Sequence, residues 1–481
     1  MAELYTKLFI DGKWRSSKAG KTFAVVNPTT EEKIADVDEA GADDIDIAFA
    51  AAQKAFPAWR DLSAWERINR CLKLADLIEK SADELAQLDS MNMGMPLALS
   101  RQFIIPLAVS TIKYTTSMAH EIHGETTLNT PGLLSFTLRQ PFGVCAGITP
   151  WNGPITMWIA KVIPCVVAGN TIILKSSEKA PLSSLKLGAL AHEAGFPPGV
   201  INVLSGPGQI GALLASHPGI RKISFTGSTA TGKAVMAAAA ASNMKRVSLE
   251  CGGKNPAVVF DDADIPNAAL ATAANLQFNS GQVCISNSRI YVQKGAYSQF
   301  VEEFTKVFTA VKMGDPLDTA TNFGPQVDKK QFDNILRLID EAKQDGANLI
   351  AGGSRATETE KGYFIQPTIF SNIPKGANLL KTEVFGSVAA IQEFETEEEV
   401  LALANDTEYG LSASVYTKDI SRGIRFAKAF EAGIIGINAA SHENPYNLPF
   451  GGWKQSGIGR EKDKSGLESW YEVKAVTIKH S

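Results

Sequence analysis

The sequence predicts an α/β fold of two domains. Three observations carry that expectation. The chain has 481 residues, too many for one ordinary hydrophobic core. From Phe142 onward, short apolar strands alternate with helical stretches, and turns rich in Gly, Ser and Asn fall where those strands should end. Such alternation predicts a parallel sheet with right-handed crossovers and helices on both faces.

The N-terminal MAELYTKLFIDGKW alternates polar with apolar residues and holds no continuous apolar core. No later segment offers about 18 uncharged apolar residues in a row, so the expectation is a chain that is neither secreted nor membrane-bound. Residues 40–90 read as helices: in WERINRCLKLADLIEK the apolar Ile68, Cys71, Leu72, Ala75 and Ile78 recur at three- and four-residue steps. The alternating region then runs FGVCAGITP, TMWIAKVIPCVVAG, TIILKSSE, APLSSLKLGALAHEAG, INVLSG, QIGALLASH, KISFTGS, TATGKAVMAAAA and RVSLECGG. The alanine run 237–241 is read as helix. A boundary is expected after Lys254, and a second α/β unit from near Ile265, with FVEEFTKVFTAV, FDNILRLIDEAKQ, YFIQPTIF, VAAIQEF and GIIGINA.

Composition excludes several functions. With 44% hydrophobic and 20% charged residues, and 47 basic against 51 acidic side chains, the net charge of −4 supplies neither a polyanion-binding face nor the profile of a disordered chain. Nucleic acid is not an expected partner. The five cysteines, Cys71, Cys145, Cys165, Cys251 and Cys284, are odd in number and contain no CxxC pair. They fit neither a disulfide framework nor a zinc site, so a reducing, cytoplasmic compartment and no bound metal are expected.

Ligands of open parallel sheets bind beyond the carboxyl ends of the strands, which directs attention to TPWN, KSSE, SGPG, FTGS and ECGG. Cys284, in FNSGQVCISNSR, has two readings. A buried small hydrophobe is the commonest fate of a free cysteine and is assigned to Cys71, Cys145 and Cys165. Around Cys284, however, Gly281, Gln282, Ser286 and Asn287 do not make an apolar pocket, and a helix ending near Asn279 would present the thiol at a turn. The nucleophile reading is preferred. None of the six histidines lies in a strand-end turn, which disfavours a Cys/His hydrolase. Glu250 closes the strand RVSL directly before Cys251, Gly252 and Gly253; a solvated strand-end charge is its bland reading, and the two glycines point to close approach of something to the backbone. GPGQIG at 206–211 matches G-x-G-x-x-G with a strand before and a helix after, but about 20 residues on, where a ribose-binding acid belongs, the chain reads RKISF. Lys175 and Glu178, at the end of TIILKSSE, suit ribose hydroxyls instead, and FTGST offers a pyrophosphate seat at a helix start.

TPWNGP (149–154), FTGST (225–229), LECGGKNP (249–256), FNSGQVC (278–284), EVFGS (383–387) and PFGGWKQSGIGRE (449–461) resemble, in the same order, the motifs of the aldehyde dehydrogenase superfamily. The resemblance implies an aldehyde-dehydrogenase-like α/β fold: a Rossmann-type cofactor domain (1–121 and 142–253, with 449–466 returning to it), a second α/β catalytic domain (254–448) and a small oligomerisation element (122–141 and 467–481). It implies Cys284 as nucleophile, Glu250 as general base and Asn152 as oxyanion donor, acting through a thiohemiacetal and a thioester. It implies NAD, in preference to NADP, as cofactor, held by Ile148, Thr149, Trp151, Lys175, Glu178, Gly208, Phe225, Gly227, Ser228, Cys251, Gly252, Glu383 and Phe385. A homodimer or homotetramer is implied as well.

The chain also departs from the family pattern. Cys251 replaces a customary leucine, Ser387 a proline, and Lys464 stands where many relatives carry an acid, which removes a proton relay from that position. Gly153 and Ala160 stand where relatives often have an aromatic and a tryptophan, so a wide substrate tunnel is expected, lined by Leu107, Gly153, Met157, Phe278, Ile285, Asn444 and Phe450. The expected reaction is oxidation of a bulky aliphatic or aromatic aldehyde to its acid. A CoA-acylating enzyme and a non-catalytic structural or binding member of the fold are the alternatives.

Overall fold

The computed structural model describes residues 3–443 and 445–480. A sheet of eight strands holds five parallel ones, in the spatial order Ile201–Gly206, Thr171–Ser177, Val144–Ile148, Lys222–Thr226 and Arg246–Glu250. Val144–Ile148 comes first in sequence and lies in the middle. The chain builds outward from it on one side, then returns to build on the other. The order therefore reverses between Val144–Ile148 and Lys222–Thr226, and the turns that leave these two strands, TPWN and FTGS, open the crevice where such sheets bind ligands. The N-terminal segment read as alternating forms the antiparallel pair Leu8–Ile10 and Lys13–Arg15, which extends the outer edge.

The second sheet, of seven strands, also starts from its middle: Pro256–Val259 lies between Arg289–Gln293 and Ser412–Tyr416. It thus begins earlier than the expected Ile265. The strand Pro256–Val259 escaped the reading because it is only four residues long and follows a Gly-rich turn. Residues 251–255 alone join Glu250, at the carboxyl end of the first sheet, to Pro256, at the amino end of a strand in the second. This direct step sets the Cys284 turn, which precedes Arg289–Gln293, opposite the crevice of the first sheet.

The predicted helical layer is present as Ala42–Arg60, Ala64–Lys80 and Ala82–Met93. Ser63 and Glu66 close a capping box at the second, the Ser63 hydroxyl accepting from Glu66 N–H at 3.2 Å and the Glu66 carboxylate from Ser63 N–H at 3.1 Å. Ile68, Cys71, Ala75 and Ile78 on this helix are buried, as are Cys145 and Cys165 elsewhere in the core. Helix Pro154–Val167 is apolar nearly all round because it is covered by the sheet on one side and by helices on the other. A three-stranded sheet pairs Tyr471–Lys479 antiparallel with Leu133–Pro141, whose other edge takes Thr126–Thr127. Among the described residues, no helix is long and apolar enough to cross a membrane.

Candidate active site

Cys284 follows helix Ile265–Gln277 through a turn whose backbone is left-handed at Asn279 (φ 49°), Ser280 (φ 56°) and Gly281 (φ 76°). A side chain at Gly281 would run into the Gly386 backbone at 2.2 Å, so the turn needs glycine there. The polar residues around the thiol are not a solvated loop, as their composition implied. Asn279, Ser280, Gln282 and Asn287 are buried and act as fasteners. The Ser280 hydroxyl donates to the Gly324 carbonyl at 2.8 Å and accepts from the Gly324 N–H at 3.0 Å. The Gln282 amide accepts from Val327 N–H at 2.9 Å and donates to the Asn279 and Pro325 carbonyls. Buried polar groups must be paired, and pairing them with backbone gives the turn one conformation. Cys284 itself is half-buried, as are Val283 and Ile285 on either side of it.

Two cavities meet at that thiol. One is lined by Trp151, Asn152, Thr226, Gly227, Ser228, Cys251, Gly252, Cys284, Glu383, Val384 and Phe385, with Gln331 and Asn334, and has a volume of about 250 Å³. The other, of about 150 Å³, is mainly apolar; Leu107, Gly153, Met157, Ala160, Phe278, Ile285 and Phe450 line it, as expected, together with Phe103, Thr111 and His442. Asn152 and Cys284 belong to both walls. Asn444 lies outside the described residues.

The side chains of Ile148 and Phe225 are buried between the sheet and its helices, as befits strands covered on both faces. Thr149 is also buried, its N–H and hydroxyl both directed at the Lys175 carbonyl. Lys175 and Glu178 pair at 3.5 Å, and Glu178 lines an adjoining groove that shares Gln331 and Asn334 with the first cavity. Gly208 is exposed at the start of helix Gly208–Ser216. Cys251 turns its sulfur toward Gly232, where an added Cβ would meet it at 2.8 Å.

Electrostatics separate the acids. Burial pushes the Cys284 thiol up to about 12, reinforced by the Glu383 and Glu250 carboxylates and opposed by the backbone N–H groups of Cys284 and Ile285. Glu383 is pushed up to about 7 by burial, although the Gly253 N–H donates to it at 3.0 Å. Glu250 is buried and raised well above the carboxylate range by burial and then by Glu461. Its Oε2 has no hydrogen-bond partner among the described residues, and its Oε1 lies where a Cβ on Gly451 would touch it at 2.7 Å. It is therefore set back behind Gly451 rather than lining either cavity.

Two residues near Glu250 were missed. Lys161 is wholly buried, is ion-paired with Glu461 and donates to the Thr226 hydroxyl at 2.6 Å; the Ser224 hydroxyl donates to Glu461 at 3.3 Å. The acid beside Glu250 is thus Glu461, and Lys464, three positions on, is exposed. A charged residue in the middle of an apolar helix, TMWIAKVIPC, was the available signal for Lys161. Ser387 occupies the position of the customary proline by donating to the Leu276 carbonyl at 2.8 Å.

The family model described as the aldehyde dehydrogenase family matches residues 14–476. Retinaldehyde dehydrogenase 3 of Homo sapiens is 44% identical over 99% of this chain and 93% of its own length. Aldehyde dehydrogenase of Alternaria alternata is 42% identical, over 98% and 95%. Among solved structures, the indole-3-acetaldehyde dehydrogenase AldA of P. syringae, a mutant in complex with NAD+ and IAA, has a TM-score of 0.97 at 36% identity, covering 99% of this chain and 97% of that one. PnpE in complex with nicotinamide adenine dinucleotide has a TM-score of 0.96 at 39% identity, covering 98% and 97%.

Proposed function

This chain belongs to the aldehyde dehydrogenase family, and we propose that it oxidises a bulky aldehyde to the free carboxylic acid with NAD, using Cys284 as nucleophile. The observation that carries the reading is the junction itself: one thiol, with Asn152 beside it, stands where a polar cleft meets an apolar one. NAD fits the polar cleft. Gly227 and Gly252 leave its wall open, Glu383 is held in place by Gly253, and Glu178 stands beside Lys175 at a strand end with a carboxylate able to accept from ribose hydroxyls. A 2′-phosphate there would set like charges together, which favours NAD over NADP. When bound, NAD supplies the hydride acceptor.

The chain's own residues do the rest. Cys284 gives its proton to solvent through the polar cleft, and the thiolate attacks the carbonyl carbon. The developing oxyanion is held by the Cys284 N–H and by Asn152 Nδ2, which exchanges its present bond to the Gln282 carbonyl, 2.9 Å, for the substrate oxygen. Loss of hydride from the thiohemiacetal leaves a thioester on Cys284. Glu250 swings past Gly451 to take a proton from the water that hydrolyses it. The presence of Glu250 favours hydrolysis over transfer to CoA, and the intact Cys284, Asn152 and Glu250 disfavour a purely structural member of the fold.

The apolar cleft supports a large substrate, as do the retinaldehyde and indole-3-acetaldehyde in the names of relatives. Exposed Val473 and Ile478 on the outer strand of the small sheet favour assembly into a dimer or tetramer through that sheet, and the absence of paired cysteines favours the cytoplasm. The test is an aldehyde panel with NAD and NADP, followed by cofactor reduction. Parent protein reduces NAD with large aldehydes, and Cys284→Ala binds NAD but reduces none; reduction by that variant would overturn the reading.

A further inference from the structure

Lys462 is the one lysine or arginine in the lining of the apolar cavity, and its backbone is held in an unusual conformation, φ 58° and ψ −170°. A non-glycine residue in that region is strained and persists only where its surroundings enforce it. Here they do. Phe450 and Glu461 exchange both backbone hydrogen bonds, at 2.7 and 2.8 Å, and the Lys462 carbonyl accepts from the Gly466 N–H at 2.8 Å. The fixed backbone sends the side chain inward, where its ammonium stands 5.0 Å from the centre of the Phe450 ring.

That ammonium makes no ion pair among the described residues. The neighbouring Glu461, the one acid of the cavity wall, is already taken by Lys161. Glu250 is pushed toward its neutral form by burial and by Glu461. His442, hydrogen-bonded to Asn275 at 3.2 Å, is held below its ordinary value by burial, so it adds no fixed charge. Burial pulls the Lys462 ammonium down, and Glu461, Cys284 and Glu250 pull it back up. A cation kept in an apolar cavity with an aromatic face but no opposite charge beside it, at the expense of backbone strain, is open to a ligand of opposite charge.

We propose that Lys462 binds a carboxylate of the substrate, so that this site takes aldehydic acids: molecules with an apolar body, an aldehyde offered to Cys284 and a carboxylate offered to Lys462. This rests on the aldehyde dehydrogenase reading above and narrows its substrate class. The rival account makes Lys462 only a counter-charge for Glu250. A counter-charge would affect charged and neutral aldehydes alike; a substrate contact would not.

The experiment compares para-carboxybenzaldehyde with para-methylbenzaldehyde, and succinic semialdehyde with butanal, by kcat/KM with saturating NAD. It uses the parent, Lys462→Met and Lys462→Arg. The parent is expected to favour the acid of at least one pair by about tenfold or more, mainly through KM, with Lys462→Arg retaining the preference and Lys462→Met bringing the ratio to about one or below. A parent without preference, or a preference that survives in Lys462→Met, overturns the proposal. The same ratios are read without turnover as Kd values in Cys284→Ala and in Cys284→Ala with Lys462→Met. If neither aldehyde reduces NAD, the dehydrogenase reading fails while the Kd ratio still decides the role of Lys462.

Discussion

Asn255 holds Cys284 by its own peptide: Asn255 Nδ2 donates to the Cys284 carbonyl at 2.8 Å and to the Ser286 carbonyl at 2.8 Å, while its Oδ1 accepts from the Ser412 N–H at 3.0 Å. One buried amide thus ties the Cys284 turn to two strands of the second sheet. Asn255→Ala takes the partner from the Cys284 carbonyl and the Ser412 N–H, each loss worth about 1–3 kcal/mol when buried, while the Ser286 carbonyl keeps the Ser288 N–H at 3.0 Å. A lower Tm is expected, and a fall in kcat of about tenfold or more as the thiol loses its position. Asn255→Asp keeps the acceptor but sets a charge beside the thiol, so its rate should fall further at a given pH. The check is kcat with Tm for both variants, and an unchanged kcat in Asn255→Ala would show that the turn is fixed without it.

How much of this was legible beforehand depended on whether the signal was local. The order of strands and helices from Phe142 to Gly253 follows from hydrophobic period and turn residues, which neighbours in sequence determine. The Cys284 turn was found by its polarity, yet for the wrong reason: Ser280 and Gln282 are polar because they bind backbone at Gly324 and Val327, contacts more than forty positions away that leave no local mark. Glu461 and Lys161, 300 positions apart, could not be paired from spacing. Ile148 and Phe225 were assigned to the cofactor by resemblance alone, since burial of their side chains between sheet and helices leaves no local mark of such a role.

Glu461 should set the pH at which Glu250 works. As a base, Glu250 acts only when ionised, so deacylation rises with pH through its raised pKa. Glu461 raises that pKa, and Lys161 lowers it. Glu461→Gln removes the repulsion and leaves the lysine, so the acid limb of the deacylation rate is expected to move to lower pH, with some loss of stability from breaking a buried pair. The slow phase after the NADH burst, measured against pH, gives the limb. A shift upward would show that Glu461 does not act on Glu250 through charge.

Asp89 gives a prediction about stability alone. It is fully buried on helix Ala82–Met93, neither carboxylate oxygen has a hydrogen bond of good geometry among the described residues, and burial, opposed only in part by the nearby Ser183 hydroxyl, pushes it from 3.8 up to about 7. The folded state then holds the proton more tightly than the unfolded one, so stability is undiminished below about pH 4 and is lost as pH rises through about 7. At 1.4 kcal/mol per unit the loss is at most about 4 kcal/mol. Glu250 and Glu383 act in the same direction, so the readout is a difference: Tm of Asp89→Asn minus Tm of the parent should be larger at pH 8 than at pH 5. An equal difference at both would mean that Asp89 is stabilised as a carboxylate by groups such as bound water.

Gly153 fixes the width of the apolar cleft where it meets Cys284. It caps helix Pro154–Val167, and an added Cβ would meet only Thr156 Oγ1 at 2.9 Å and Met157 Cγ at 3.9 Å, so a side chain there is accommodated by a turn of the Thr156 hydroxyl. Trp158 does not fill the space left by the missing aromatic. It is fully buried in the core and absent from the cavity wall, whereas Leu107 and Phe103 line that wall. Phe103 packs edge-on against Phe278 with ring centres 5.3 Å apart, so these two rings are held by each other rather than free to close the cleft. A two-carbon aldehyde then leaves the wall unfilled and forfeits about 0.8 kcal/mol for each methylene it lacks. Hexanal and benzaldehyde should therefore exceed acetaldehyde in kcat/KM by about tenfold or more, equal to about 1.4 kcal/mol of transition-state binding. In Gly153→Phe the gap should narrow, mainly by loss of the larger substrates, while NAD binding, proposed for the other cleft, stays as in the parent. A parent that prefers acetaldehyde would show that Leu107 or Phe103 closes the cleft in solution.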